Sequence, residues 1–218
     1  KGDMTGKRVV VSAGGTQEPI DPVRHIANKS SGKMGYALAE AARDRGAEVT
    51  LVAAPTALPD PTGINVVHVC TAEEMFQAVA RAVTGCDVLL MAAAVADYRP
   101  AQVSPEKIKK GEAKLTLDLT RTRDILKSLT GDFVKVGFAA ESNELLANAQ
   151  KKLADKGLDM IVANDIKQTD GGFGSDLNCV TILERGGKAV EVPLLPKRQV
   201  ADAVLDRVVA RMVRKSPP

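Results

Sequence analysis

Six short apolar runs, interleaved with helix-like patterns and polar loops, constrain this chain more than any other feature of its sequence. They fall at Arg8 to Ser12, Val49 to Ala53, Asn65 to Val69, Val88 to Met91, Val134 to Phe138 and Met160 to Ala163. Runs that are apolar at most positions, rather than at alternate ones, suit strands covered on both faces. Helical spacing of apolar residues lies between them at Gly35 to Arg45, Ala72 to Val83, Ile125 to Leu129 and Glu144 to Lys156. A doubly buried strand that reaches its neighbour through a helix is the unit of a parallel sheet. The sequence therefore predicts an α/β fold, Rossmann-like and doubly wound, with a mostly parallel sheet and helices on both faces. Such a sheet keeps its ligand at the C-terminal ends of its strands.

Two regions break the alternation. Val180 to Glu184, the Gly186-Gly187 turn and Ala189 to Val192 read as an antiparallel hairpin, followed by a last helix with Val200, Val204, Leu205, Val208, Val209 and Met212 as its core-facing stripe. Pro100 to Asp118 is too long and too charged for a plain connection, and predicts an excursion or flap. Its Lys109, Lys110 and Lys114 read as solvated edge lysines that discourage aggregation.

The class of protein is bounded by what is missing. With 218 residues, 44% of them apolar and 26% charged, the chain suits one globular domain, expected at 7–213. Residues 1–6 read as a linker remnant and 214–218 as a disordered tail, and an opening at Lys1 suits a segment of a longer polypeptide. A net charge of +3, no basic stripe and no Trp argue against nucleic acid as a partner. Cys70, Cys86 and Cys179 have no metal-ligand spacing and read as structural; without a secretory segment or a membrane-length apolar run, a reducing, cytoplasmic setting is expected.

The chemistry concentrates between Asp21 and Gly35, after the first strand signal. Arg24, Asn28, Lys29, Ser30, Ser31 and Lys33 precede a helix start, where cations and donors suit an anion such as phosphate. The alternative is an ordinary helix cap with a turn glycine and solvated cations. Two nucleotide motifs are ruled out. The phosphate-loop pattern needs glycine at position 27 and serine or threonine at 34, where the chain has Ala27 and Met34. After the first strand come Gly14-Gly15 and a long excursion, not the dinucleotide fingerprint that opens a helix directly.

A second cluster, A-A-A-V-A-D-Y-R-P-A-Q-V-S-P-E-K-I-K-K at Ala92 to Lys110, follows the strand signal at Val88. With D-P-V-R…N-K-S-S-G-K-M-G before it, and G-F-A-A-E (Gly137 to Glu141), A-N-D (Ala163 to Asp165) and G-F-G-S-D (Gly172 to Asp176) after it, the chain resembles the phosphopantothenoylcysteine synthetase family, in its bacterial, CTP-using branch. The likeness runs from about Gly6 to Arg211.

That resemblance implies a ligase of coenzyme A biosynthesis that joins 4'-phosphopantothenate to L-cysteine. CTP is the co-substrate, Mg²⁺ the cofactor, and an acyl-cytidylate the intermediate. It also implies a homodimer, whose flap crosses to the neighbouring subunit in one version of the arrangement, and fusion to a flavin-dependent decarboxylase in the full-length protein. On matched positions, Asn28 would assist turnover of the acyl-cytidylate, Arg24 would grip a carboxylate or phosphate, and Lys107 of the flap would close on the triphosphate. Asn28 and Arg24 would also bind the acid substrate. Gly14, Gly15, Ser31 and Gly32 would bind the nucleotide. Met91, Ala92, Ala93 and Asp97 would meet the nucleotide, as would Phe138, Lys152 and Lys156. Arg123, Asp124, Ile125 and Leu126 match a nucleotide-contacting stretch that opens with proline in relatives, so Arg123 is a departure. The resemblance names no metal ligand, and His25 reads as packing or capping.

Bland readings accompany several of these residues. Arg24 has Asp21 and Glu18 as ion-pair partners within reach, and Asp155 can neutralise the face that Lys152 and Lys156 share. A short-chain oxidoreductase is a rival, but Tyr36 is followed four residues on by Glu40, and Tyr98 by Gln102, where that chemistry uses lysine. A non-catalytic nucleotide sensor is the other.

Overall fold

The pattern of doubly buried strands closes into an eight-stranded sheet in the computed structural model, which describes residues 2–111, 115–141, 145–165 and 174–215. The first half of the chain gives β1 (Arg8–Ala13), the short β2 (Gln17–Pro19) and β3 (His25–Ala27), α1 (Lys33–Asp44), β4 (Glu48–Ala53), β5 (Asn65–His68), α2 (Ala72–Ala82) and β6 (Val88–Met91). The second half gives β7 (Tyr98–Pro100), β8 (Leu119–Arg121), α3 (Ile125–Ser128), β9 (Val134–Glu141), α4 (Leu145–Asp155), β10 (Met160–Asp165), β11 (Leu177–Glu184), β12 (Val190–Pro196) and α5 (Lys197–Lys215).

The sheet order is β12-β11-β10-β9-β6-β1-β4-β5. From β10 to β5 every pairing is parallel, and β11 and β12 add an antiparallel edge. The chain leaves β1 to one side for β4 and β5, then returns to the other for β6, β9 and β10. That reversal is the switch point at which doubly wound sheets open a crevice.

Strand alternation divides the core between two faces. Val9, Val11 and Ala13 of β1, and Val88 and Leu90 of β6, face α1 and α5. Val10 of β1, with Leu89 and Met91 of β6, faces α2 and α3. Farther along the second face, Ile161 and Ala163 of β10 meet Ala149 of α4. Burying a Leu, Ile, Val or Met side chain contributes roughly 1.5–3 kcal/mol. That gain is available on both sides of these strands, hence their lack of polar alternation.

Several boundaries are set by particular contacts. Thr71 caps α2 and forms a reciprocal pair with Glu74, while buried Glu18 accepts from Ala72 N at 2.8 Å. α1 lies so close to β1 that a Cβ on Gly35 would stand 2.5 Å from the Ala13 Cβ and 2.8 Å from the Ser12 carbonyl oxygen. Only glycine fits there.

The segment read from sequence as a linker remnant is packed on the domain where it is described. Met4 is fully buried and its N–H donates to the Arg45 carbonyl, while Arg45 grips Asp3. At the other end α5 runs on to Lys215, into the stretch read as tail, and 216–218 lie outside the described residues. Among the described residues no helix is long and apolar enough to cross a membrane.

The expected flap at 100–118 is partly described. β7 and β8 pair at its base, Ala101 N donates to the Asp118 carbonyl, and Lys114 lies outside the described residues. The two ribbons β2–β3 and β7–β8 were not legible in the sequence, because strands of three residues are too short to show a period.

Candidate functional site

A cavity of about 900 Å³ opens over the C-terminal ends of β6, β9 and β10, within the size range of small-molecule sites. Its lining is strongly cationic. Among the described residues that border it are Lys29, Lys33, Arg121, Arg123, Lys152, Lys156 and Lys197, against the carboxylates Asp97 and Asp124.

The loop leading into α1 forms one wall. Gly32 is the N-cap in a left-handed conformation (φ 75°) and supplies no side chain to cap the first turn. Ser31 Oγ accepts a long hydrogen bond from Lys33 N at 3.4 Å. Gly32, Lys33, Met34 and Gly35 border the cavity, so the positive end of a twelve-residue helix is turned toward it. Asn28 lies on the same wall, its Nδ2 donating to the Val95 carbonyl at 3.0 Å.

The floor is the loop after β6, fastened from β1. Ser12 Oγ accepts from Ala93 N at 3.1 Å and Thr16 Oγ1 from Ala96 N at 2.9 Å. Both hydroxyls are fully buried, and nothing marks them in the sequence beyond a polar residue at or just past the end of an apolar run. Gly14 accepts from Ala94 N through its carbonyl, and Gly15 bridges to Ala94. These glycines brace the floor from behind and do not line the cavity.

The opposite wall comes from α3 and the end of α4. Asp124 caps α3 by accepting from Lys127 N, and pairs with Lys156 at 3.1 Å. Lys152 and Lys156 thus border the cavity together, with Asp124 as the partner of Lys156 where sequence offered Asp155. Arg123 lies 4.3 Å over the Phe76 ring and pairs loosely with Glu73, so the residue that stands where relatives carry proline is held against α2.

Behind both elements, buried Lys135 donates to the carbonyls of Leu126 (3.0 Å), Leu129 (2.6 Å) and Lys156 (3.3 Å). Burial lowers its pKa below the usual lysine value. The ends of α3 and α4 are fixed through this one ammonium.

Of the residues singled out from the sequence, the structure brings Asn28, Ser31 and Gly32 together with Met91, Ala92, Ala93 and Asp97. Arg123, Asp124, Ile125, Leu126, Phe138, Lys152 and Lys156 complete the same lining. Arg24 and Lys107 are not in it. They line a second cavity of about 730 Å³ with Ile108, Lys109, Lys110, Gly111 and Leu115. Arg24 makes the ion pair that sequence offered as its alternative: two of its nitrogens donate to Asp21 Oδ2, and Nη2 also reaches the Ile108 carbonyl at 2.9 Å. The guanidinium, helped by the N–H groups of Val23, Ile108 and Arg24, holds the Asp21 carboxyl well below the usual range. Within this chain Lys107 lines the second cavity and not the first, and Asp21 and Arg24 hold the flap there through the Ile108 N–H and carbonyl. His25 is exposed on β3, not packed.

Sequence reasoning missed Asn164, Asn178 and Lys197, which border the cavity from β10, β11 and the start of α5. Asn164 Oδ1 is buried and has no hydrogen-bond partner among the described residues. The A-N-D block holds Asn164; nothing local marks the other two, which arrive across the antiparallel edge. Of the G-F-G-S-D block, Gly172 and Phe173 lie outside the described residues. Among the described residues no group of three or more His, Cys, Asp or Glu is arranged to hold a metal ion.

A doubly wound sheet with a basic cavity at its strand ends, bordered by a helix N-terminus, defines an α/β protein with a cavity whose charge suits an anion. Its particular kind follows from likeness to known proteins. The chain belongs to the family described as DNA/pantothenate metabolism flavoprotein C-terminal domain, matched over residues 4–212. It is 46% identical over 211 residues to the coenzyme A biosynthesis bifunctional protein CoaBC of Bacillus subtilis (strain 168), an alignment covering 95% of this chain and 52% of that protein. It thus spans about half the length of such relatives. The crystal structure of the C-terminal domain of a coenzyme A biosynthesis bifunctional protein CoaBC superposes with a TM-score of 0.85 at 40% identity, covering 98% of this chain and 100% of that one. A Cab2 mutant in complex with phosphopantothenate-cysteine shares the fold at 18% identity (TM-score 0.73, covering 96% of this chain and 87% of that one). The family and the α/β architecture read from the sequence are both upheld.

Proposed function

We propose that this domain is a phosphopantothenate–cysteine ligase that uses CTP, acting through an acyl-cytidylate in coenzyme A biosynthesis. The observation that carries the reading is the convergence of Asn28, the start of α1, the loop after β6, α3 and the α4 lysines on one cationic cavity, in a chain 46% identical to a CoaBC protein. A Cab2 mutant of the same fold, in complex with phosphopantothenate-cysteine, is consistent with these substrates.

The chemical difficulty is that a carboxylate is a poor electrophile. In the proposed first step the pantothenate carboxylate attacks the α-phosphorus of CTP, forms a C–O–P linkage and expels pyrophosphate. In the second, the cysteine amine attacks the acyl carbon, the amide forms, a proton is lost from nitrogen and CMP leaves. Bringing two anions in line needs fixed positive charge and position more than covalent participation. The first turn of α1 and Lys152 and Lys156 supply that charge, and small Ala92 and Ala93 admit the nucleotide closely. Asn28, neutral and anchored on Val95, orients the acyl group without trapping it as a cation would. The donors fit Mg²⁺ carried on the nucleotide's phosphates and water, since Asp124 is already paired with Lys156. Bound there, the ion would offset phosphate charge.

Arg24 and Lys107, with their own cavity, belong in this proposal to the acid substrate's site, completed in a homodimer whose flap reaches the partner's nucleotide. The full-length protein would carry the flavin-dependent decarboxylase as its other half and work in the cytoplasm. Incubation with CTP, Mg²⁺ and 4'-phosphopantothenate, omitting cysteine, tests the reading. Pyrophosphate and a mass-detectable acyl-cytidylate are expected. Nucleotide binding without pyrophosphate would leave a sensor, and hydride transfer to a nicotinamide would leave an oxidoreductase.

A further inference from the structure

The reaction proposed above has three substrates, and the residues assigned so far meet only two of them. L-Cysteine carries its amine and its carboxylate on one carbon. The amine must reach the acyl carbon that Asn28 orients, so the carboxylate comes to rest beside Asn28 as well. A carboxylate taken from bulk water into a cavity needs a cation there.

The ribbon β7–β8 stands at that place. Asn28 Nδ2 donates to the Val95 carbonyl at 3.0 Å. Thr122 Oγ1 donates to the next carbonyl, that of Ala96, at 2.6 Å, and Thr122 N to that of Asp97 at 3.0 Å. Successive carbonyls of the loop after β6 thus fasten Asn28 and the end of the ribbon side by side. Arg121, which precedes Thr122, is the cross-strand partner of Tyr98, so both side chains stand on one face of the ribbon, and both border the large cavity.

The Arg121 guanidinium makes no hydrogen bond or ion pair among the described residues, although the Asp97 carboxylate borders the same cavity. Other cations of the lining are engaged: Lys156 with Asp124, Lys33 with Asp176, and Arg123 with Glu73 and the Phe76 ring. Lys29 is also unpaired among the described residues, but an ammonium is a point charge on a flexible stem. A guanidinium presents a planar fork that matches both oxygens of a carboxylate.

We propose that Arg121 binds the α-carboxylate of L-cysteine and so sets the amine against the acyl carbon. The inference rests on the ligase reading above and deepens it. It gives the amino-acid substrate a site on the ribbon, apart from the start of α1 and the α4 lysines that hold phosphate.

Steady-state kinetics of the whole domain with CTP, Mg²⁺ and 4'-phosphopantothenate test it, with L-cysteine or cysteamine as the acceptor. Arg121→Met should lower kcat/KM for cysteine about tenfold or more, chiefly through KM. Cysteamine lacks the carboxylate, so its kcat/KM should change less than about twofold. Arg121→Lys, which keeps the charge and loses the fork, should fall between parent and Arg121→Met. The side chain is exposed, and pyrophosphate release without any acceptor reports whether each variant is folded and competent in the first step. Equal losses with cysteine and cysteamine, an unchanged KM for cysteine, or pyrophosphate release lost along with ligation would overturn the proposal. A parent that releases no pyrophosphate would sink the ligase reading and this assignment with it, an outcome distinct from failure at Arg121 alone.

Discussion

Replacing Lys135 with methionine tests whether one buried ammonium holds the cavity's α3–α4 wall in place. The side chain is 8% exposed, and its three acceptors are the carbonyls of Leu126, Leu129 and Lys156. Methionine roughly preserves volume, so the cost is that of carbonyls losing a donor. Each buried acceptor left without one costs about 1–3 kcal/mol. The bond to Leu129 is short and the one to Lys156 long, and the variant no longer pays to desolvate a cation, so the net loss is expected near 3 kcal/mol. For a domain of this size that lowers Tm by about 6–12 °C, measured by thermal unfolding followed by circular dichroism.

The pH dependence gives a second, independent reading. Burial lowers the folded-state pKa of Lys135 from 10.5, so between that lowered pKa and 10.5 the unfolded chain binds more protons than the folded one. Stability attributable to Lys135 then rises with pH in that window. The gap between parent and Lys135→Met should widen as pH climbs through it. A loss below about 1 kcal/mol, or a gap that narrows on raising the pH there, refutes the reasoning.

Three further outcomes are expected. Gly35→Ala forces a methyl group into Ala13 and the Ser12 carbonyl, destabilising by about 1–3 kcal/mol in urea titration and weakening nucleotide binding by displacing the start of α1. Asp21→Asn loosens the flap, seen as faster proteolysis around Lys107 to Lys110. Because the folded Asp21 pKa lies below 3.8, its stabilisation is full above 3.8 and is lost as pH falls through the folded value, so parent and variant should converge in acid. In thiol labelling of the folded protein, exposed Cys70 reacts first; buried Cys86, its pKa pushed up to about 11 by burial, reacts only on unfolding.

The predicted strands and helices are recovered to within a few residues because each carried its own period. β6 has the bounds expected, Val88–Met91, since all its residues are buried and polar loops bracket it. β2, β3, β7 and β8 were missed because their hydrogen bonds are made to partners that a local window does not contain. The candidate site divided in the same way. The polar loop before α1 and the small residues after β6 announced themselves by composition, but the separation of Arg24 and Lys107 from that cavity depended on Asp21 facing the flap.

Hydrophobic burial along the chain was enough to settle the kind of sheet, its helices and the general location of a ligand, because apolar periodicity is a local property that records which faces must be covered. Folding in three dimensions decided the rest. Lys135 beneath two helix ends, Ser12 and Thr16 under the loop after β6, and Arg121 brought to the loop that anchors Asn28 all act across long sequence separations. Their roles are electrostatic and hydrogen-bonding, which depend on distance in space and on exclusion of water, neither of which is written in the order of residues.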